Sequence, residues 1–242
     1  MCVVGREPGR EAFSRMWAIL PAALRRPRSE FQAGEEVRQR GHRSYRPDGA
    51  EIEAGQRIST LDIAEDAGVC GIRLNLMGRP TPELDSLPWR ALFARIAALG
   101  WHVEVHLPAA RLPEILPILL RTDCAIVVDH FGRPAPALGV ADPGFQYLVE
   151  QSVTGHVWVK LSGAYRNWAP RQAAAQGLEA TRRLLDAYTP ERLVWGSDWP
   201  HTEHPDIAYA GTRRWLDDWI DDPVVRRVVL VDTPARLFHM DR

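Results

Sequence analysis

Residues 61–242 predict an α/β fold built on a parallel sheet. Two observations carry that prediction. Five short apolar runs alternate with helix-patterned segments every 25 to 35 residues or so, the mark of repeated βαβ units. Ionisable residues gather at the carboxyl end of these runs, and right-handed crossovers would bring all five ends to one rim. At 242 residues, the chain is long enough to bury a full core.

The elements follow in order. A short helix over 62–67 stops at Gly68, and residues 71–76 (GIRLNL) form the first strand of the series. Pro88 opens a helix over 88–99 and Gly100 ends it. Residues 102–107 (HVEVHL) are the next strand. The apolar stripe over 109–121 contains Pro113 and Pro117, which predicts a broken or kinked helix. A strand over 125–130 (AIVVDH), a proline-rich loop and a helix ending near residue 152 come next. They are followed by the strand 157–162 (VWVKLS), a helix over about 171–188, and the strand 193–198 (LVWGSD). Helices around 206–220 and 223–238 close the chain.

Residues 1–60 form a separate, poorly patterned segment. They hold eleven arginines and no sustained alternation or helical stripe. The stretch 16–24 (MWAILPAAL) is short, contains Pro21 and runs into Arg25, Arg26 and Arg28; it reads as a helix or loop rather than a secretory leader. Net charge is −1 and the hydrophobic fraction 45%, so neither nucleic acid nor a membrane is an expected partner. Three widely spaced cysteines, Cys2, Cys70 and Cys124, argue against a disulfide framework or thiolate metal site and favour the cytoplasm. Of thirty basic residues only Lys160 is a lysine, a compact charge where an arginine would be the default.

The predicted rim collects Arg73, Asn75 and Arg79; His106; Asp129, His130 and Arg133; Lys160, Ser162 and Arg166; and Asp198 with His201. Asp198 ends the last apolar run, with His201 three residues on, a natural proton-transfer pair. His130 follows four apolar residues. Plainer readings stand beside several of these. His106 is either a site residue or a satisfied core histidine, and Asp129 caps a loop or pairs with an arginine. His102 sits at the far end of its strand and reads as structural, while His156 and His204 read as surface or loop residues.

Six blocks, GIRLNL with Arg79 after it, WHVEVHL, IVVDHFGRP, VWVKLSGAYR, RLVWGSDWPH and VDTPARLF, resemble the amidohydrolase-related hydrolases over residues 61–242, and within them the lactonases acting on 2-pyrone-4,6-dicarboxylate and relatives. The resemblance implies a (β/α)8 barrel and a small carboxylated lactone or related cyclic ester as substrate. It implies that Asp198 is the general base for water, that His130 polarises the carbonyl, and that His201 touches substrate. It also implies that Arg73, Arg79, Arg133 and Arg166 face substrate carboxylates. Planar, permanently charged guanidinium groups suit that task. His106 departs from the lactonases, which carry tyrosine there, and is kept among the substrate-binding residues.

The family opens on a His-x-His strand that holds metal, zinc included, in many members. No His-x-His occurs in this sequence, and no metal ligands are assigned. With GIRLNL matching the fourth family strand, the preceding units do not fit into 60 residues. The expectation is therefore an incomplete barrel lacking the first two or three βα units through divergence, truncation or a frame shift. Weak hydrolysis and self-association through open sheet edges would follow. Two alternatives remain: a metal-dependent decarboxylase or amide hydrolase on the same fold, and a non-catalytic remnant that binds small anions or a partner subunit.

Overall fold

The computed structural model describes residues 16–18 and 70–240. Five strands run parallel: β2 (Gly71–Asn75), β3 (His102–His106), β4 (Ala125–Val128), β5 (Val157–Leu161) and β6 (Leu193–Trp195). Each pairs with its predecessor in the chain, so spatial order and sequence order coincide. A doubly wound sheet reverses its order partway along. This sheet does not, and it has the winding of a barrel wall.

The wall's helices begin with α1 (Leu87–Ala98), α2 (Leu112–Leu119) and α3 (Pro143–Glu150). Next come the one-turn α4 (Ala164–Asn167), the long α5 (Pro170–Tyr188) and α6 (Tyr209–Trp219). Two short helices, α7 (Pro223–Arg227) and α8 (Thr233–Leu237), end the described chain. The two expected irregularities have local causes. Pro113 falls in the first turn of α2, where a missing N–H costs nothing, and Pro117 lies inside it. The expected helix over 223–238 is interrupted by a π turn over Val228–Asp232, immediately before Pro234 removes a backbone donor.

One pleat of the sheet is apolar throughout. Ile72, Leu74, Val103, Val105, Ile126, Val128, Val157, Val159, Leu161 and Leu193 are all buried in the main core. They pack against Trp89, Phe93 and Ile96 of α1, Ile115, Leu116 and Leu119 of α2, and Ala180, Leu184 and Tyr188 of α5. Each large side chain so buried stabilises the fold by about 1.5–3 kcal/mol. The other pleat carries Arg73, Glu104 and Lys160, with Val127 and Val194 packed against Leu237 of α8.

Two sequence expectations need correction. Residues 16–18 are not helix or loop but a strand, β1 (Met16–Ala18), antiparallel to β2 with Met16 opposite Leu74. Three residues are too few to show a period of two, while the edge of β2 presents backbone groups that need partners. The second correction concerns strand ends. β4 stops at Val128 and β6 at Trp195, short of His130 and Asp198. Those two residues have φ of 49° and 61°, and left-handed backbone cannot continue a strand. The helix expected over 62–67 lies outside the described residues, as does nearly all of 1–60.

Candidate active site

The polar pleat rises in two tiers. In the lower tier, Arg73 sits opposite Glu104 across β2 and β3. Arg73 Nε lies 2.6 Å from Glu104 Oε1, and its terminal nitrogen pairs with Asp129. Lys160 Nζ lies 3.3 Å from both Glu104 Oε2 and Asp129 Oδ1. Two buried acids thus face two partly buried bases in a quartet. Burial pushes the Asp129 carboxyl up, but Arg73, His130 and Lys160 outweigh it and hold the group well below the usual range. Burial and neighbouring Asp129 push Glu104 the other way, so Asp129 is the firmly ionised member. Asp129 fulfils both plainer readings, since it also accepts from the backbone N–H of His130 at 3.1 Å.

The upper tier holds the chemistry. His130 Nε2 lies 3.6 Å from Asp198 Oδ1, and its Nδ1 lies 2.7 Å from Ser162 Oγ. The imidazole stands where a Cβ on residue 163 would come within 2.7 Å of Nδ1, and Gly163 has φ of +59°. A side chain there is excluded twice over. Burial drives His130 down to about 4 and His106 down to about 3, so both rings are neutral near pH 7. The two rings meet edge to face at 4.8 Å.

Asp198 is fixed from the opposite side. Its Oδ2 accepts from the Tyr165 hydroxyl at 2.6 Å and from Arg166 Nε. Burial raises its pKa, yet His130, Tyr165 and Arg166 together hold it below the ordinary value. Arg133 donates to Asn167 Oδ1 at 3.0 Å, and Arg166 depresses its pKa after burial does. Two guanidinium groups are therefore held near one carboxylate, as an anionic ligand would require.

The structure links His106, His130, Asp198, His201, Arg133 and Arg166 through a continuous set of contacts and charge interactions. Arg73 lies below them, engaged by Glu104 and Asp129, and Arg79 is exposed on the loop after β2. His102 is buried at the far end, its ring 5.3 Å from that of Phe238. His156 is exposed, whereas His204 packs its ring 4.8 Å from Tyr165. Glu104, Tyr165 and Asn167 escaped the sequence reading. The alternation in HVEVH already placed Glu104 on the same face as His106, and Tyr165 adjoins Arg166 in the block SGAYR.

His106, Asp129 and His130 each offer a ligand atom, all within 4.8 Å of one another. His106 Nδ1 contacts Asn75 Oδ1 at 3.1 Å, while its buried Nε2 has no hydrogen-bond partner. Two neutral imidazoles with a carboxylate form a donor set that zinc accepts, and these residues fit such an ion.

Comparison with known proteins agrees with the winding of the sheet. The family model described as Amidohydrolase matches residues 47–240. The chain belongs to the amidohydrolase family. The 4-sulfomuconolactone hydrolase of Hydrogenophaga intermedia is 31% identical over 79% of this amidohydrolase and 68% of its own length. A crystal structure from Acinetobacter baumannii, named for 2-pyrone-4,6-dicarboxylic acid hydrolysis and holding citric acid, has a TM-score of 0.74 at 29% identity. That match covers 88% of this chain and 81% of the other. A zinc-bound amidohydrolase from Burkholderia multivorans shares the fold at TM-score 0.58 and 24% identity, over 64% of this chain and 58% of its own. This amidohydrolase spans 62 to 68% of the length of four curated relatives. No helix among the described residues is long and apolar enough to cross a membrane.

Proposed function

We propose that this chain hydrolyses a small lactone bearing an acidic substituent, with Asp198 as general base and His130 as electrophile. The observation that carries the reading is the 3.6 Å approach of His130 Nε2 to Asp198 Oδ1, beside Arg133 and Arg166. Asp198 Oδ1 takes a proton from water as the water attacks the ring carbonyl; on collapse of the tetrahedral intermediate the ring C–O bond breaks, and the proton held by Asp198 passes to the leaving oxygen. His130 Nδ1 faces both the Ser162 hydroxyl and, at 3.3 Å, Asp129 Oδ1; in the tautomer where Ser162 donates, the ring proton sits on Nε2 and stabilises the developing oxyanion. Arg133 and Arg166 hold the acidic substituent. Relatives named for a sulfonated and a dicarboxylated lactone support the substrate class.

A second reading is favoured by the His106–Asp129–His130 group. A zinc ion held by these residues would supply Lewis-acid polarisation of the carbonyl, and His130 would then serve as ligand. Hydrolysis of 4-sulfomuconolactone and 2-pyrone-4,6-dicarboxylate by chelator-treated protein, with and without added Zn²⁺, decides between them. Metal-independent ring opening that Asp198→Asn abolishes supports the first reading, and strict zinc dependence supports the second. If neither lactone opens under either condition, the hydrolase reading fails.

A further inference from the structure

We propose that Tyr165 is a positioning residue that dictates which oxygen of Asp198 takes the proton and which nitrogen of His201 carries one. The inference deepens the hydrolase reading and, for its kinetic part, rests on it. A phenol has one proton to give. Tyr165 Oη lies 2.6 Å from Asp198 Oδ2 and 3.1 Å from His201 Nδ1. The carboxylate is the stronger, charge-assisted acceptor at the shorter distance, so the phenolic proton belongs to it. The contact with His201 can then be a hydrogen bond only if Nδ1–H donates to the phenolic oxygen. The burial that lowers the pKa of His201 keeps the ring neutral, so its single proton lies on Nδ1 and Nε2 carries the lone pair.

The same geometry differentiates the two oxygens of Asp198. Oδ2 receives Tyr165 and Arg166 together, while Oδ1 turns toward His130. A carboxylate anchored through one oxygen presents the other in a fixed direction, the alignment that proton abstraction needs. Tyr165 is itself held in place: its ring lies 4.8 Å from that of His204 and 5.3 Å from the Arg166 guanidinium carbon. Ala164 and Tyr165, both buried, open α4 directly after Gly163, so the turn that makes room for His130 also delivers this hydroxyl.

The test joins spectroscopy to kinetics. Long-range nitrogen–proton correlation spectra of ring-labelled wild-type protein should show His201 neutral near pH 7 with the proton on Nδ1, and Tyr165→Phe should remove that preference. In lactone hydrolysis, Tyr165→Phe should lower kcat roughly 10- to 100-fold, the usual cost of losing an orienting partner, with KM within about twofold. A proton on Nε2 of wild-type His201 overturns the proposal, as does an unchanged kcat in Tyr165→Phe. A variant that raises KM alone would make Tyr165 a binding group, which also overturns it. Should Tyr165→Phe fail to fold by circular dichroism, the wild-type spectrum still decides. Should no lactone be opened, the hydrolase reading falls while the spectrum judges the hydrogen-bond geometry on its own.

Discussion

The two pleats of one sheet obey different rules. The helix-facing pleat is apolar, with Ile72, Leu74, Val103, Val105, Ile126 and Val128 buried in the main core. The opposite pleat holds Arg73, Glu104 and Lys160, with Asp129 and His130 just beyond the end of β4. Left-handed backbone concentrates beyond the carboxyl ends of two strands. His130, Phe131, Arg133, Asp198, His201 and Glu203 all have positive φ, in the two loops that follow β4 and β6. Each such residue costs of order 1–3 kcal/mol and persists only where its surroundings over-determine it. The apolar pleat supplies that surrounding, so stability is concentrated on one face and spent on the other.

Substitutions on the two pleats should therefore separate activity from stability. The largest effect is expected for Asp198→Asn, which should cut turnover by about 10²- to 10⁴-fold while leaving the unfolding midpoint near that of the wild type. Comparable activity in the variant would place the base elsewhere. Asp129→Asn comes next. Taking one buried charge out of the quartet leaves Arg73 and Lys160 sharing Glu104, with an expected loss of about 3–5 kcal/mol in denaturant unfolding. Gly163→Ala should cost about 1–3 kcal/mol through its left-handed backbone and should also displace His130, so activity and stability fall together.

Acid should expose the polar pleat as well. His102 and His106 are driven by burial to about 3, and His130 to about 4, from an ordinary 6.5. A histidine whose folded pKa is lowered contributes fully above its unfolded value and loses that contribution as pH falls toward the folded one. Unfolding free energy should thus decline from about pH 6.5 downward, by about 2 kcal/mol per such ring at pH 5. His102→Leu should flatten that slope, since its buried ring is one of those that must charge on unfolding; an unchanged slope would refute the assignment. The smallest effect belongs to the apolar pleat: Ile126→Val should cost about 0.5–1.5 kcal/mol and leave turnover unaltered.

The same contrast explains what could be read from sequence. The apolar pleat announces itself through continuous runs such as AIVV, so the five parallel strands and most helices from residue 71 onward stand where the pattern put them. His130 and Asp198 were legible because each ends such a run abruptly. Glu104 was harder to see, since a carboxylate between two valines and two histidines has meaning only once Arg73 and Lys160 arrive from neighbouring strands. Tyr165 gave no periodic signal, because α4 spans only four residues. The strand at Met16–Ala18 was invisible for the same reason of length, and its described pairing is with the edge of β2.

That short strand bears on any design that would add a grafted strand at the β2 edge of the sheet. A donor segment meant to extend the sheet in the common direction would find its docking ladder on β2 already occupied by Met16, Trp17 and Ala18 running the opposite way. The graft would have to evict those residues before its first backbone bond could form, so deleting them belongs in the design from the outset.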